Sequence, residues 1–244
     1  MSLRETWGPE LPYLRRYARA LTGSQIEGDQ IVVSMLDAVL AGPAVNDDGR
    51  APRLEMFRLL HQLPNMGHYR HKALLLSAVE GFSMSDIAII LGKSFETVIA
   101  ESEADRLEIR ADLKACVMII EDEPIIALHL RSIVDELGCS VTGIARTRAE
   151  AVALAAKIPP GLVLADISLA DGSSGIDAVN DILADIDVPI IFVTAFPERL
   201  LTGERPEPTY LVTKPFEPET VIATIGQALL VHRAVPMGAL AARV

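Results

Sequence analysis

The chain has 244 residues, half of them hydrophobic, and a formal net charge of −11, a composition that supplies packed cores for one or two domains and excludes global disorder. Residues 1–115 carry 13 basic and 16 acidic side chains and residues 116–244 carry 9 and 17, so neither half has the basic excess of a nucleic-acid binder. No apolar run approaches the about 20 residues that cross a bilayer, and acids and arginines interrupt "MSLRETWGPELPYLRRYARAL", so the expected compartment is the cytoplasm, with no membrane partner.

The first half reads as helical. "LPYLRRYARALTG" sets Leu11, Leu14, Tyr17, Ala18 and Leu21 on one face, with Gly23 as a C-terminal stop. Its pair Arg15 and Arg16 reads as a solvated face rather than a binding patch. "QIVVSMLDAVLAG" repeats the pattern, "PAVNDDGRAP" is loop by composition, and "RLEMFRLLHQL" and "HYRHKALLLSAVEGF" are two further amphipathic stretches. His61, His68 and His71 are close in sequence but fall short of the four tetrahedral ligands zinc prefers, with no cysteine nearby, so no metal is expected there. Phe82 is expected in the core.

"GFSMSDIAIILGK" and "SFETVIAESEADRL" then form a helix, a turn and a second helix, the geometry that places a helix in the DNA major groove. Ser83 and Asp86 have capping-box spacing, Gly92 sits at the turn, and Ser94 can cap the second helix, which runs to about Leu113. Yet residues 94–105 contain no Lys or Arg and four acids, Glu96, Glu101, Glu103 and Asp105. A phosphate backbone repels such a face.

From Cys116 the texture changes. "CVMII", "CSVTGIA", "GLVLAD", "VPIIFVT" and "TYLVT" are short apolar runs alternating with helical segments such as "PIIALHLRSIVDEL" and "PETVIATIGQALLV". Five strands without a polar face predict a parallel sheet buried on both sides, a doubly wound α/β domain behind an all-α first half. Cys116 and Cys139 lie in apolar surroundings and are expected as core thiols. The end of the chain, from residue 232, has no clear period and is expected as a loose tail.

In an open parallel sheet, functional groups collect at the carboxyl ends of the strands. Glu121, Asp122 and Glu123 end the first strand, Asp166 the third, Thr194 the fourth, and Lys214, followed by Pro215, the fifth. Crowded carboxylates repel one another, and a hard divalent cation, Mg2+ with retained waters, relieves that repulsion. With charge neutralised by the metal and Lys214, Asp166 can act as a nucleophile toward a phosphoryl group, and Thr194 can donate a hydrogen bond to it. An Asp-based phosphatase usually needs a second Asp two residues after the nucleophile; Ser168 stands there instead, so a phosphoacceptor is expected and not a turnover enzyme.

These positions resemble the receiver domain of two-component response regulators, a flavodoxin-like fold expected over residues 114–231. The resemblance implies that Glu121 and Asp122 are the acidic pair and Asp166 the phosphoacceptor. Ser168 would give a backbone carbonyl to the metal, Thr194 would be the switch hydroxyl, Lys214 the phosphate partner, and the bond before Pro215 cis. It also implies a histidine kinase or phosphotransfer protein as a partner. The family usually has an aromatic switch residue where this chain has Leu211; Tyr210 is one step off, on the opposite face of the strand.

"HKALLLSAVEGFSMSDIAIILGKSFETV" resembles the promoter-reading domain of extracytoplasmic-function sigma factors, expected over residues 63–113. "LPYLRRYARALTGSQIEGDQIVVSMLDAVL" resembles their core-binding domain, expected over residues 1–62. The whole order, with "FVTAFPERLLTGERPEP" leading into "KPF", resembles the PhyR family of general stress response regulators. That resemblance implies an anti-anti-sigma factor: once Asp166 is phosphorylated, the sigma-like half captures a NepR-like anti-sigma factor and frees the stress sigma factor. Such a decoy keeps the protein-binding faces of a sigma factor and loses the DNA-binding one, which an acidic second helix achieves. The alternative reading is a transcriptional regulator that binds DNA once phosphorylated.

Overall fold

Among the described residues, helices are the regular structure ahead of the first strand. The computed structural model describes residues 3–41, 50–111, 113–169, 171–197, 200 and 208–234. The helices before the sheet are α1 (Leu3–Trp7), α2 (Leu11–Thr22), α3 (Gln25–Ala41), α4 (Pro52–His61), α5 (Lys72–Ala78), α6 (Met84–Leu91) and α7 (Phe95–Ala111). The punctuation expected from local chemistry is present. Gly23 closes α2 at φ 69 with its N–H on the Arg19 carbonyl, and Ser83 and Asp86 form a reciprocal capping box on α6. Gly92 turns the chain at φ 64, and Ser94 Oγ accepts from the N–H of Thr97 at the start of α7. Most of the loop expected near residue 45 lies outside the described residues; so does the tail from residue 235.

One core unites this helical part. It runs from Trp7 through Leu14, Tyr17, Phe57, Leu75 and Ile87 to Val98, with Phe82 packed at its margin, so the regions 1–62 and 63–113 share a core instead of holding one each. The arginine pair is not a solvated face. Arg15 joins Arg19 on the carboxylate of Asp29 in α3, and Arg16 is buried against Glu80. Helix α2 has neighbours on both flanks, and an arginine stem is long enough to carry its charge to a partner across either one. Among the described residues His61, His68 and His71 are not brought together with one another. His61 shares a 2.8 Å hydrogen bond with the Tyr17 hydroxyl, His68 lies on the Tyr69 ring, and His71 is buried at the head of α5.

The second unit is a five-stranded parallel sheet in the order β2-β1-β3-β4-β5. Its strands are β1 (Cys116–Ile120), β2 (Ser140–Ala145), β3 (Leu162–Ala165), β4 (Ile190–Thr194) and β5 (Tyr210–Thr213). Helices α8 (Pro124–Glu136), α9 (Arg148–Lys157), α10 (Gly175–Leu183) and α11 (Pro218–Ala234) connect and cover them, α9 packing on α10 and α8 on α11. Met118, Ile120, Val163, Ala165 and Leu211 share one cluster with α9 and α10. Val117, Ile119, Leu162, Leu164 and Tyr210 are buried outside that cluster, as alternation along a strand covered on both faces requires. Leu211, expected at the aromatic switch position, is a core residue of that cluster, and Tyr210 is buried outside it. The helix that strict alternation demands between β4 and β5 would fall largely on residues 198–199 and 201–207, outside the described residues.

Three expectations change in detail. The two compact units divide between Leu107 and Glu108, before the expected boundary at 113, because Ile109 is fully buried against Gly226 of α11. Helix α11 continues to Ala234, past the expected end of the domain at 231. Cys116 is exposed, since it opens β1 at the amino edge of the sheet; Cys139 is buried, and both thiols are free. None of the described helices is long and apolar enough to cross a membrane.

Candidate phosphoacceptor site

Parallel strands put all their carboxyl ends on one rim. Pairing of Ile120 with Ala165 brings the residues that follow, Glu121 and Asp166, side by side; the Asp166 N–H bonds the Ile120 carbonyl at 2.8 Å. Thr194 pairs with Thr213, and the Lys214 N–H bonds the Thr194 carbonyl at 2.8 Å. Four chain segments therefore meet at one edge, each delivering the side chain that stands at or just past its strand end.

Lys214 is the centre of charge. Its Nζ lies 2.7 Å from Asp166 Oδ2, 2.7 Å from Glu121 Oε2 and 3.9 Å from Glu123 Oε1. Asp166 Oδ1 accepts from the backbone N–H of Ile167 at 2.6 Å and of Ser168 at 3.4 Å. Both oxygens of Asp166 are thereby oriented, and the residue is 7% exposed. Burial pulls the Lys214 pKa down most strongly, but hydrogen bonds to Asp166 and Glu121 and their charges outweigh it, so the net shift is upward. Burial pushes the Glu121 carboxyl up, and the charge of Asp166 adds to this against the opposing pull of Lys214. The Thr194 hydroxyl is fully buried and accepts from the N–H of Phe196 at 3.1 Å. Lys214–Pro215 is a cis peptide.

The acids also fit a divalent cation. One carboxylate oxygen from each of Glu121, Asp122 and Asp166 lies within 4.8 Å of the others. Glu121 Oε2 is buried against the Lys214 ammonium at 2.7 Å. One ammonium against three carboxylates leaves an excess of negative charge that a hard, oxygen-seeking ion neutralises. Ser168 sits in an isolated antiparallel bridge with Ser174 at the start of α10.

One element of the site escaped the reading of the sequence. A Cβ on Gly175 would stand 1.7 Å from the carbonyl oxygen of Asp166, so only glycine lets the head of α10 rest against the peptide that carries that side chain. The available signal was a glycine directly after the Ser173–Ser174 pair, at the very start of a predicted helix.

A doubly wound sheet in this order, with carboxylates, a hydroxyl and a lysine on one rim, defines the receiver domain of response regulators. Residues 117–226 match the family model for the response regulator receiver domain, and residues 7–61 match that for the Sigma2 domain of PhyR. The chain is 45% identical to the phyllosphere-induced regulator PhyR of Methylorubrum extorquens, over 94% of this chain and 95% of that one. It superposes on the response regulator PhyR of Brucella abortus with a TM-score of 0.87 and 48% identity, covering 96% of each chain. The anti-anti-sigma factor PhyR of Bartonella quintana gives a TM-score of 0.90 and 46% identity, covering 95% of this chain and 97% of that one. The protein belongs to the PhyR family, in which a sigma-like region precedes a receiver.

Proposed function

We propose that this protein is a phosphorylation-switched anti-anti-sigma factor, with Asp166 as the phosphoacceptor and the helical unit as the decoy that captures an anti-sigma factor. The observation that carries the reading is the joining, in one chain, of an oriented strand-end aspartate and a sigma-like body whose second turn-motif helix is acidic. Glu96 and Glu103 are exposed on α7, and the nearby Lys93 is held 2.5 Å from Glu101. A DNA reader needs cations on that face to meet phosphates. A decoy needs only the protein-binding surfaces of a sigma factor. Relatives that share nearly the whole chain carry the name anti-anti-sigma factor, and the partner expected here is a NepR-like protein.

At the receiver, a carboxylate oxygen of Asp166 attacks the phosphorus of a phosphohistidine donor, forming a P–O bond as the P–N bond breaks and the imidazole leaves with the electron pair. Backbone N–H groups of Ile167 and Ser168 and the Lys214 ammonium hold the carboxylate in place for this step. Glu121, Asp122 and Asp166, with the Ser168 carbonyl, would hold Mg2+, which when bound supplies charge neutralisation for the incoming phosphoryl group. Thr194 and Lys214 then bind the phosphoryl oxygens. The product carries about −1.5 to −2 charge in place of the carboxylate's −1, and this added negative charge and bulk beside Glu121 can bias a two-state element.

The test is a titration of a NepR-like anti-sigma factor into the full chain, unmodified and after treatment with a small acyl phosphate and Mg2+. Capture should tighten about a hundredfold on phosphorylation, since about 3 kcal/mol of coupling lies near the usual allosteric range. Asp166→Asn should abolish the difference. Equal affinity in both states would defeat the switch.

A further inference from the structure

We infer that Glu80 is the residue that fixes the helix-turn-helix to the N-terminal helices, so that an anti-sigma factor meets one preformed surface built from both. The identity of that partner rests on the function proposed above. Glu80 stands in the turn between α5 and α6, outside the segment 7–61 that matches the Sigma2 model, and its side chain is wholly buried. Two arginines from inside that segment grip it. Arg16, on α2, gives Nε to Glu80 Oε1 at 3.0 Å and Nη2 to the Val79 carbonyl at 3.1 Å. Arg53, on α4, gives Nη2 to Glu80 Oε2 and to the Glu80 carbonyl, each at 2.8 Å.

Aromatic rings close this hub. The Arg53 guanidinium lies 4.9 Å from the Phe82 ring and 5.8 Å from the Phe57 ring, and Arg16 lies 5.3 Å from Tyr13. Phe57 and Phe82 meet edge to face at 4.9 Å. A second tie joins α3 to the segment ahead of α5, where the Tyr69 hydroxyl donates to Glu27 at 2.5 Å, but it is exposed to water and correspondingly weaker.

The shared apolar core would hold the two regions together without the hub, but apolar contacts are non-directional and tolerate sliding. A buried carboxylate does not. Leaving its arginines strands a charge in a dry site, and the planar guanidinium forks accept it from few directions. Glu80 therefore sets the angle at which α6 and α7 stand to α2 and α4. A partner that spans both regions then finds them already oriented and loses no affinity to ordering them.

Amide hydrogen exchange of the full, unmodified chain tests this without any partner. Glu80→Gln keeps the shape and removes the charge. The amides of Met84–Leu91 should exchange at least about tenfold faster, those of the receiver strands should not change, and phosphorylated Glu80→Gln should capture a NepR-like protein about tenfold more weakly. Unchanged exchange in α6 overturns the inference. If exchange rises equally in α2 and α3, Arg53→Lys decides, because it keeps a cation on a half-exposed site and loses the fork. Faster exchange confined to α6 in that variant supports the role of Glu80; a uniform rise, or none, defeats it. Should exchange respond as expected while the wild-type chain captures no anti-sigma factor in either state, the proposed function falls and the role of Glu80 stands.

Discussion

Replacing Gly175 by alanine tests how tightly the proposed phosphoacceptor is built. The added Cβ would lie 1.7 Å from the Asp166 carbonyl oxygen and 2.8 Å from its carbonyl carbon, whereas such contacts essentially never fall below 3.0 Å, so one side must retreat by about 1.3 Å. The helix side is held by the Gly175 N–H on the Ile167 carbonyl at 3.0 Å and by the bridge between Ser168 and Ser174. The strand side is the peptide joining Asp166 to Ile167, whose N–H orients Asp166 Oδ1 at 2.6 Å. Carbonyl and N–H belong to the same planar unit, so pushing one displaces the other. A misplacement of about 1 Å lowers the rate of an oriented reaction on the order of a hundredfold, and overpacking of this kind costs about 1–3 kcal/mol. The assay is the rate of labelling by excess acyl phosphate with Mg2+, on protein shown to be folded by circular dichroism and thermal unfolding. Labelling within twofold of wild type would show that the contact does not position Asp166.

Asp122→Asn should weaken Mg2+ binding, read by calorimetry, about tenfold and slow labelling with it, since one of three clustered carboxylates is lost; labelling that persists in excess chelator would remove the metal from the site. Acid should loosen the helical unit through His61, whose pKa is lowered to about 3 by burial and then by Lys72 and Lys93. Folded His61 binds a proton less readily than unfolded His61, so its contribution is present above about pH 6.5 and is lost as pH falls toward 3. The ring is only partly buried, so we expect a loss of about 2 kcal/mol between pH 7 and pH 4.5, followed by the fluorescence of the buried, single Trp7, and a flatter profile in His61→Gln. The full chain in either phosphorylation state should not shift a promoter duplex even at low salt, where electrostatic binding is strongest; a salt-sensitive, sequence-specific shift would favour the DNA-binding alternative.

Much of this molecule is local chemistry and was legible as such. The capping box of Ser83 and Asp86, the left-handed glycines 23 and 92, and the acidic character of α7 each involve residues close together along the chain. The rim residues Glu121, Asp166, Thr194 and Lys214 could be placed on one edge because strands linked by helical crossovers run parallel, so "just after the strand" already means "on the same rim". A residue's period along the chain says which face it occupies, but it does not say what occupies the space opposite. That is why Arg16 read as solvent-facing, when its partner Glu80 lies 64 residues away, and why Cys116 read as core, when it stands at the exposed amino end of its strand. The contact of Gly175 with the Asp166 peptide, the single core shared by both sigma-like regions, and the division of the chain inside α7 likewise depend on which surfaces close-pack. Close packing is a property of three-dimensional shape, and only the tertiary structure decided it.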